Sequence, residues 1–189
     1  MKYTVQSSQI LFHEFFKIER THVMWEQFDG SMGKVVTRYA IRRGDSVGII
    51  PVCESTGNIL LIKQFRYPAA GKGGDGFLWE IPAGMIGKNE DPLTTAKREL
   101  QEEIGVETEN LMPLISFFLS PGALDERFHL FYATIPDCSQ IDEIGGNKHE
   151  NEDLKIEAFE RSQLCEMIKS NEIADAKTIA SILFYFFLI

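Results

Sequence analysis

A chain of 189 residues can bury a sizeable core and has the length for one domain with an accessory element. Its net charge of −9 excludes the broad basic surface that non-specific nucleic-acid binding needs. Its three cysteines, Cys53, Cys138 and Cys165, are odd in number, widely spaced and without a CxxC pair, so neither a disulfide framework nor a zinc site is suggested and a reducing, cytoplasmic setting fits best.

The first residues, MKYTVQSSQ, lack the long apolar run of a signal peptide. From 10 to 43 the chain is rich in β-branched and aromatic residues, with turn signals at Asp29-Gly30 and Ser31-Met32-Gly33, which predicts three antiparallel strands near 10–19, 21–28 and 34–42. So small a sheet is seldom stable alone and is expected to pack on the main domain or on a second copy of the chain. The predicted division is therefore 1–44 as a dimerisation element and 45–189 as the main domain.

Two compact apolar strands, 46–52 and 59–64, flank a hairpin turn at 54–58. The glycine-rich run 71–76 lacks the spacing of a phosphate-binding loop and has no helix after it, so a mobile loop is the better reading. Strands are expected at 77–83, 114–119, 127–135 and 154–159, a long polar loop at 136–151, and helices at 161–169 and from about 175 onward. The last helix runs into an apolar tail, 179–189, whose eleven residues are too few to cross a bilayer and suit a core or a subunit interface. Strands framed by helices predict an α+β fold, an α/β/α sandwich around a mixed sheet.

The stretch 84–106, GMIGKNEDPLTTAKRELQEEIGV, organises the rest. Asp91 suits a helix N-cap, Pro92 the first helical position and Gly105 the left-handed residue that closes a helix. Within that helix Glu99, Glu102 and Glu103 fall inside a fan of roughly 100° beside an apolar stripe of Leu93, Ala96, Leu100 and Ile104. Three carboxylates held so close must face water, take up protons or share a hard cation such as Mg²⁺. Taken alone, the cluster also fits a solvated acidic face.

The whole pattern is more specific. Gly84, five residues, Glu90, seven residues, Arg98-Glu99-Leu100, one residue, Glu102-Glu103, one residue and Gly105-Val106 match the Nudix box at every fixed position. The chain thus resembles the Nudix hydrolases, and the resemblance implies a Nudix fold, a loop–helix–loop and a divalent metal, Mg²⁺ or Mn²⁺, set against a diphosphate. Outside the box, Gln64-Phe65-Arg66-Tyr67-Pro68, the run 79–84 (WEIPAG), Ser120-Pro121-Gly122 and Asp125-Glu126-Arg127 are similar to the ADP-ribose pyrophosphatase branch. Pro121, sixteen positions after Gly105, looks like that branch's marker proline, and the Asp175-Ala176-Lys177-Thr178 segment extends the likeness.

The resemblance implies metal ligation by Glu99, Glu103, Glu102, the Ala83 carbonyl and Glu152, with Glu150 as general base and Glu102 and Glu103 in the catalytic set. Gly84, Glu90, Arg98 and Gly105 are expected to shape and brace the box. Arg66, Glu126 and, from a partner subunit, Arg38 are the expected substrate contacts. The expected reaction is hydrolysis of ADP-ribose or a related nucleoside diphosphate sugar to a nucleoside monophosphate and a sugar phosphate. GDP-mannose or UDP-glucose hydrolysis is the alternative, and a non-catalytic nucleotide-sensing domain is the rival of another class. The expected partners are a small molecule and a second copy of the chain, with neither nucleic acid nor membrane.

Overall fold

The structure is a computed structural model, and it describes residues 1–71, 73–147 and 152–188. It divides into two compact units, residues 1–45 with 118–127, and residues 46–117 with 128–189.

In the first unit β1 (Tyr3–His13), β2 (Lys17–Trp25) and β3 (Val36–Arg42) form an antiparallel sheet in that order. The reversal between β1 and β2 falls at 14–16, inside the stretch expected to be one strand, because the Glu-Phe-Phe there carries none of the usual turn residues. Asp29 behaves as the sequence suggests, its carboxylate accepting from the Ser31 amide at 2.9 Å. Segment 118–127 joins this unit through Ile41, whose amide donates to the Ala123 carbonyl at 2.8 Å. Every residue of β1 is exposed.

The second unit is built on an eight-stranded mixed sheet whose main path runs β10-β11-β5-β4-β9-β8. Its strands are β4 (Ser46–Cys53), β5 (Ile59–Phe65), β6 (Phe77–Glu80), β7 (Ala83–Met85), β8 (Leu111–Phe118), β9 (Arg127–Ile135), β10 (Ile144–Gly145) and β11 (Leu154–Phe159). β4 lies parallel to β9 over its whole length, and both are deeply buried. The hairpin expected of β4 and β5 closes only at its base, where Val52 pairs with Ile59. Beyond that pair the two strands part: β6 pairs with β5, β7 with β4, and the Ile81-Pro82 dipeptide links them. Pro82 has no amide for a ladder, which is why the expected 77–83 strand is two strands.

Helix α2 (Pro92–Ile104) packs Ala96, Leu100 and Ile104 against Val47, Ile49, Leu60, Ile62, Phe131 and Ile156 on one face of the sheet. On the opposite face Tyr132, next in sequence to Phe131, stacks on Tyr185 of α4 (Ala176–Leu188) at 5.6 Å. The sheet is thus sandwiched between helices. A short α1 (Tyr67–Ala70) and α3 (Arg161–Lys169) complete the chain. The apolar tail is half of what was expected: Ser181 and Ile182 are buried, but Phe187 is 77% exposed. No helix of the described residues is long and apolar enough to cross a membrane.

Cys53 and Cys138 are joined as a disulfide across 85 residues, which corrects the expectation of three free thiols; Cys165 remains free. Counting three cysteines as one odd set hid the pair. The parallel alignment of β4 with β9 brings the end of β4 to the exit of β9, with Cα atoms 5.8 Å apart.

Candidate active site

The site is assembled on α2 and on the β7 segment that the parted strands carry. Asp91 caps α2 by accepting from the Leu93 and Thr94 amides, Pro92 opens it, and Gly105 ends it at φ 71°. The helix therefore starts and stops where the sequence dictates, and its buried positions include Glu99 and Glu103 as well as the apolar stripe.

Both of these glutamates are seated on the Ala83-Gly84 segment. The Ala83 amide donates to Glu103 Oε2 at 2.8 Å. The Glu99 carboxylate lies over the Gly84 α-carbon so closely that a Cβ there would meet Oε1 at 1.8 Å. Glycine at 84 is thus a space requirement set by Glu99. A second close approach shapes the C-terminal end of α2: at Gly145 a Cβ would meet the Glu103 carbonyl oxygen at 2.1 Å. That contact sets Gly145 against the end of the helix. Glu152, whose side chain accepts from the Asn147 amide at 3.2 Å, is near enough for its charge to act on both Glu99 and Glu103.

The electrostatics follow from this crowding. Burial first, then the neighbouring carboxylates Glu102 and Glu152, push the Glu99 pKa up to about 7 against the opposing pull of Arg98. Burial and the Glu99 charge raise Glu103, 2% exposed, well above the ordinary carboxylate range. Arg98 binds Glu99 and Glu102 through Nη1 at 2.9 Å each, reaches the Met85 carbonyl at 3.3 Å, and meets Glu90 through Nε and Nη2 at 3.3 Å. Glu90 in turn accepts from the Gly87 amide at 3.1 Å and from Thr95 Oγ1 at 2.9 Å. One guanidinium thereby ties the loop before α2 to the glutamates on it.

Glu99, Glu103 and Glu152 are brought into one neighbourhood against the Ala83-Gly84 backbone, an all-oxygen carboxylate set whose chemistry suits a hard divalent cation. Among the described residues no three His, Cys, Asp or Glu side chains close around a single point. Glu102 faces Arg98 instead, and Glu150, the expected base, lies outside the described residues with His149 and Asn151.

The expected substrate contacts divide between the units. Arg38 and Glu126 belong to the first: the Arg38 guanidinium sits 5.3 Å from the Trp25 ring centre, and Glu126, 4% exposed, is 3.9 Å from Arg43. Arg66 belongs to the second, where Nε and Nη2 each donate to Glu80 at 2.9 Å. The Glu103 charge acts on it. Sequence reasoning quoted Glu80, Gln64 and the 175–178 segment only as marks of resemblance and gave them no role; Glu80, Lys177, Asp175 and Thr178 cluster behind Arg66, and Gln64 Nε2 is buried with no hydrogen-bond partner among the described residues. A signal was there: Glu80 is a lone acid in an otherwise apolar strand, FLWE. A cavity of about 510 Å³ lies elsewhere, between the start of α2 and β8–β9. It is lined by Leu93, Leu114, Ile115 and Phe131 together with Asp91, Ser116 and His129, none of which is a box residue brought to the glutamates.

With this geometry in view, comparison with known proteins is decisive for the family: the NUDIX domain model matches residues 42–182. The chain belongs to the Nudix family. An ADP-ribose pyrophosphatase of Haemophilus influenzae is 33% identical over 177 residues, covering 90% of this chain and 81% of the relative. A GDP-mannose pyrophosphatase of Escherichia coli is 30% identical over 177 residues, covering 93% and 91%. A solved structure described as an ADP compounds hydrolase superposes with a TM-score of 0.70 at 18% identity, covering 98% of this chain and 92% of its own, a likeness of fold. This Nudix hydrolase therefore carries its box intact, on the helix that packs against the sheet.

Proposed function

We propose that this Nudix hydrolase cleaves the diphosphate of ADP-ribose, giving AMP and ribose 5-phosphate, with Mg²⁺ as the working ion and Mn²⁺ as a substitute. The observation that carries the reading is the seating of two box carboxylates, Glu99 and Glu103, on one short backbone segment, Ala83-Gly84, with full-length similarity to ADP-ribose pyrophosphatases behind it.

Glu99, Glu103, Glu152 and the Ala83 carbonyl would hold the cation, with Glu102 as a further ligand once it leaves Arg98. The bound ion supplies positive charge against the diphosphate oxygens and makes a bound water more acidic. Glu99 and Glu103 give up the protons that burial favours, so that ion binding and deprotonation are linked. Arg66 donates to a phosphoryl oxygen or to the terminal ribose, and Glu126 and a partner's Arg38 complete substrate binding. Glu150 takes the proton from the attacking water. The new P–O bond forms as the bridging P–O bond breaks, and the departing phosphate leaves as an anion.

Homodimer formation is supported by β1, an edge strand exposed at all eleven positions and rich in apolar residues, and by the small size of its sheet. In this reading 1–44 is the dimerisation element and 45–189 the catalytic domain. The substrate class supports a cytoplasmic setting. Alkylation of protein taken directly from cells tests that: three reactive thiols mark a reducing compartment, and one marks the Cys53–Cys138 bond.

Purified protein should release phosphatase-sensitive phosphate from ADP-ribose in Mg²⁺ and lose that activity in EDTA. The similarity to a GDP-mannose pyrophosphatase favours a second reading, and faster turnover of GDP-mannose in the same assay would replace ADP-ribose with it. Inertness to both, with retained nucleotide binding, would make the chain a sensor.

A further inference from the structure

Three charged side chains, Glu80, Lys177 and Asp175, meet behind Arg66. Its guanidinium grips both oxygens of Glu80 through Nε and Nη2 at 2.9 Å. Lys177, in the first turn of α4, donates to the same Glu80 carboxylate and to Asp175 Oδ2, the latter at 2.9 Å. Asp175 also accepts from the Thr178 amide at 3.0 Å and from Thr178 Oγ1 at 2.6 Å, and Thr178 Oγ1 accepts the Ile81 amide at 3.0 Å. The start of α4 is thus fastened to the segment between β6 and β7.

Stability alone is a poor reason for this arrangement. The Glu80 side chain is 1% exposed and that of Lys177 14%, and taking such ions from water offsets most of what their attraction returns; apolar groups of the same volume would often do as well. The arrangement instead leaves one group in a defined state. Arg66 keeps a 41% exposed side chain, and its Nη1 makes no hydrogen bond among the described residues. The two-point grip on Glu80 fixes the guanidinium plane, so the Nη1 edge points in one direction. The cluster's charges balance, Arg66 and Lys177 against Glu80 and Asp175, so what Arg66 offers an anion is an oriented N–H edge that Lys177 helps to hold by sharing the charge of Glu80. A planar, pre-oriented N–H edge is what a phosphoryl oxygen accepts best.

We propose that Glu80 and Lys177 are positioning residues for diphosphate binding: Glu80 orients Arg66 toward the substrate, and Lys177 holds Glu80 in place. This rests on the proposed diphosphate hydrolysis and assigns a role to the 175–178 segment at the start of α4, which that reaction does not otherwise use.

The test is a set of variants, E80Q, K177M, K177R, R66A and the doubles E80Q/R66A and K177M/R66A, read by KM and kcat on ADP-ribose. Binding of α,β-methylene ADP-ribose without metal is measured by calorimetry in parallel. Positioning predicts that E80Q and K177M each raise KM and the analogue Kd about tenfold, with kcat within about threefold of wild type. K177R should recover most of the loss. In the R66A background neither substitution should add more than about twofold.

The two single variants change the local charge in opposite senses, so a plain field effect would raise KM in K177M and lower it in E80Q. That outcome overturns the proposal. So do losses that multiply with R66A, or a lowered Tm with unchanged KM in the folded protein. Should E80Q fail to fold, K177M and its double carry the same comparison, since Lys177 is only partly buried. A wild type that turns over ADP-ribose while R66A leaves KM unchanged refutes this inference and spares the reaction. A wild type inert to every diphosphate sugar refutes both.

Discussion

Replacing Gly84 by alanine adds one methyl group, and the structure says where that methyl must go. Its carbon would stand 1.8 Å from Glu99 Oε1, 2.0 Å from Cδ and 2.5 Å from Oε2. Backbone torsion is no obstacle, since Gly84 is not among the glycines at positive φ. The neighbour that must give is the end of a flexible side chain, so the carboxylate moves and the fold stays. It must retreat by more than about 1 Å, and a misplacement of that size in a catalytic constellation costs on the order of 100-fold in rate, about 2.7 kcal/mol in the transition state. G84A should therefore show kcat/KM lowered about 100-fold on ADP-ribose and weaker Mn²⁺ binding, with Tm within about 2 °C of wild type. Steady-state phosphate release, Mn²⁺ titration by electron paramagnetic resonance and differential scanning calorimetry measure the three quantities. A variant with wild-type kcat/KM and wild-type Tm would refute the argument, because it would mean that the Glu99 carboxylate need not lie over residue 84.

Four further outcomes are expected. E103Q should lose about 1,000-fold in kcat, as a several-kcal/mol contribution from ion ligation implies, yet should melt no lower than wild type without metal, because its amide oxygen still accepts from the Ala83 N–H and the carboxyl it replaces already favours its neutral form there. T178V keeps the shape of a fully buried side chain but strips the Ile81 amide of its acceptor, so chemical denaturation should show a loss of about 2 kcal/mol. Reducing Cys53–Cys138, which closes a span of 85 residues, should lower stability by about 2–4 kcal/mol, and thiol titration of the denatured protein should rise from one group to three. Glu19 is held at about 2 by hydrogen bonds from Ser8, Arg42 and Thr21, so its contribution to the three-stranded sheet is fully present above the ordinary 4.5 and is lost as pH falls through 2. An NMR titration of its side-chain carboxyl should give a midpoint near the lower value, and E19Q should erase that part of the acid transition.

What the sequence disclosed was whatever short-range chemistry determines. Asp91, Pro92 and Gly105 bound α2 within the chain's own local rules, and the 3.6-residue spacing of Ala96, Leu100 and Ile104 gave the face that α2 buries. The box glutamates were legible for the same reason, as neighbours on one helix. The remainder depended on contacts across the fold. Lys177 lies 97 residues from Glu80, and no local pattern pairs them. Cys53 and Cys138 became partners only because β4 and β9 run side by side, a parallel pairing that apolar runs alone do not specify. The hairpin expected from 46–64 forms its two strands and its turn but pairs only at the base, because its turn chemistry speaks for the residues flanking the turn and not for the strands beyond. The first reversal, at 14–16, went unseen because two phenylalanines occupy it.

The parting of β4 and β5 has a consequence for how change is absorbed. The strands meet at Val52 and Ile59 and diverge away from the 54–58 turn, so length added to that turn pushes on the closed end of a wedge. The Ala83-Gly84 segment hangs at the open end, tied on one side by β6 to β5 and on the other by β7 to β4. Insertions at the turn are therefore mechanically remote from the segment on which Glu99 and Glu103 are seated, whereas a substitution that alters the spread of the two strands shifts that seat directly.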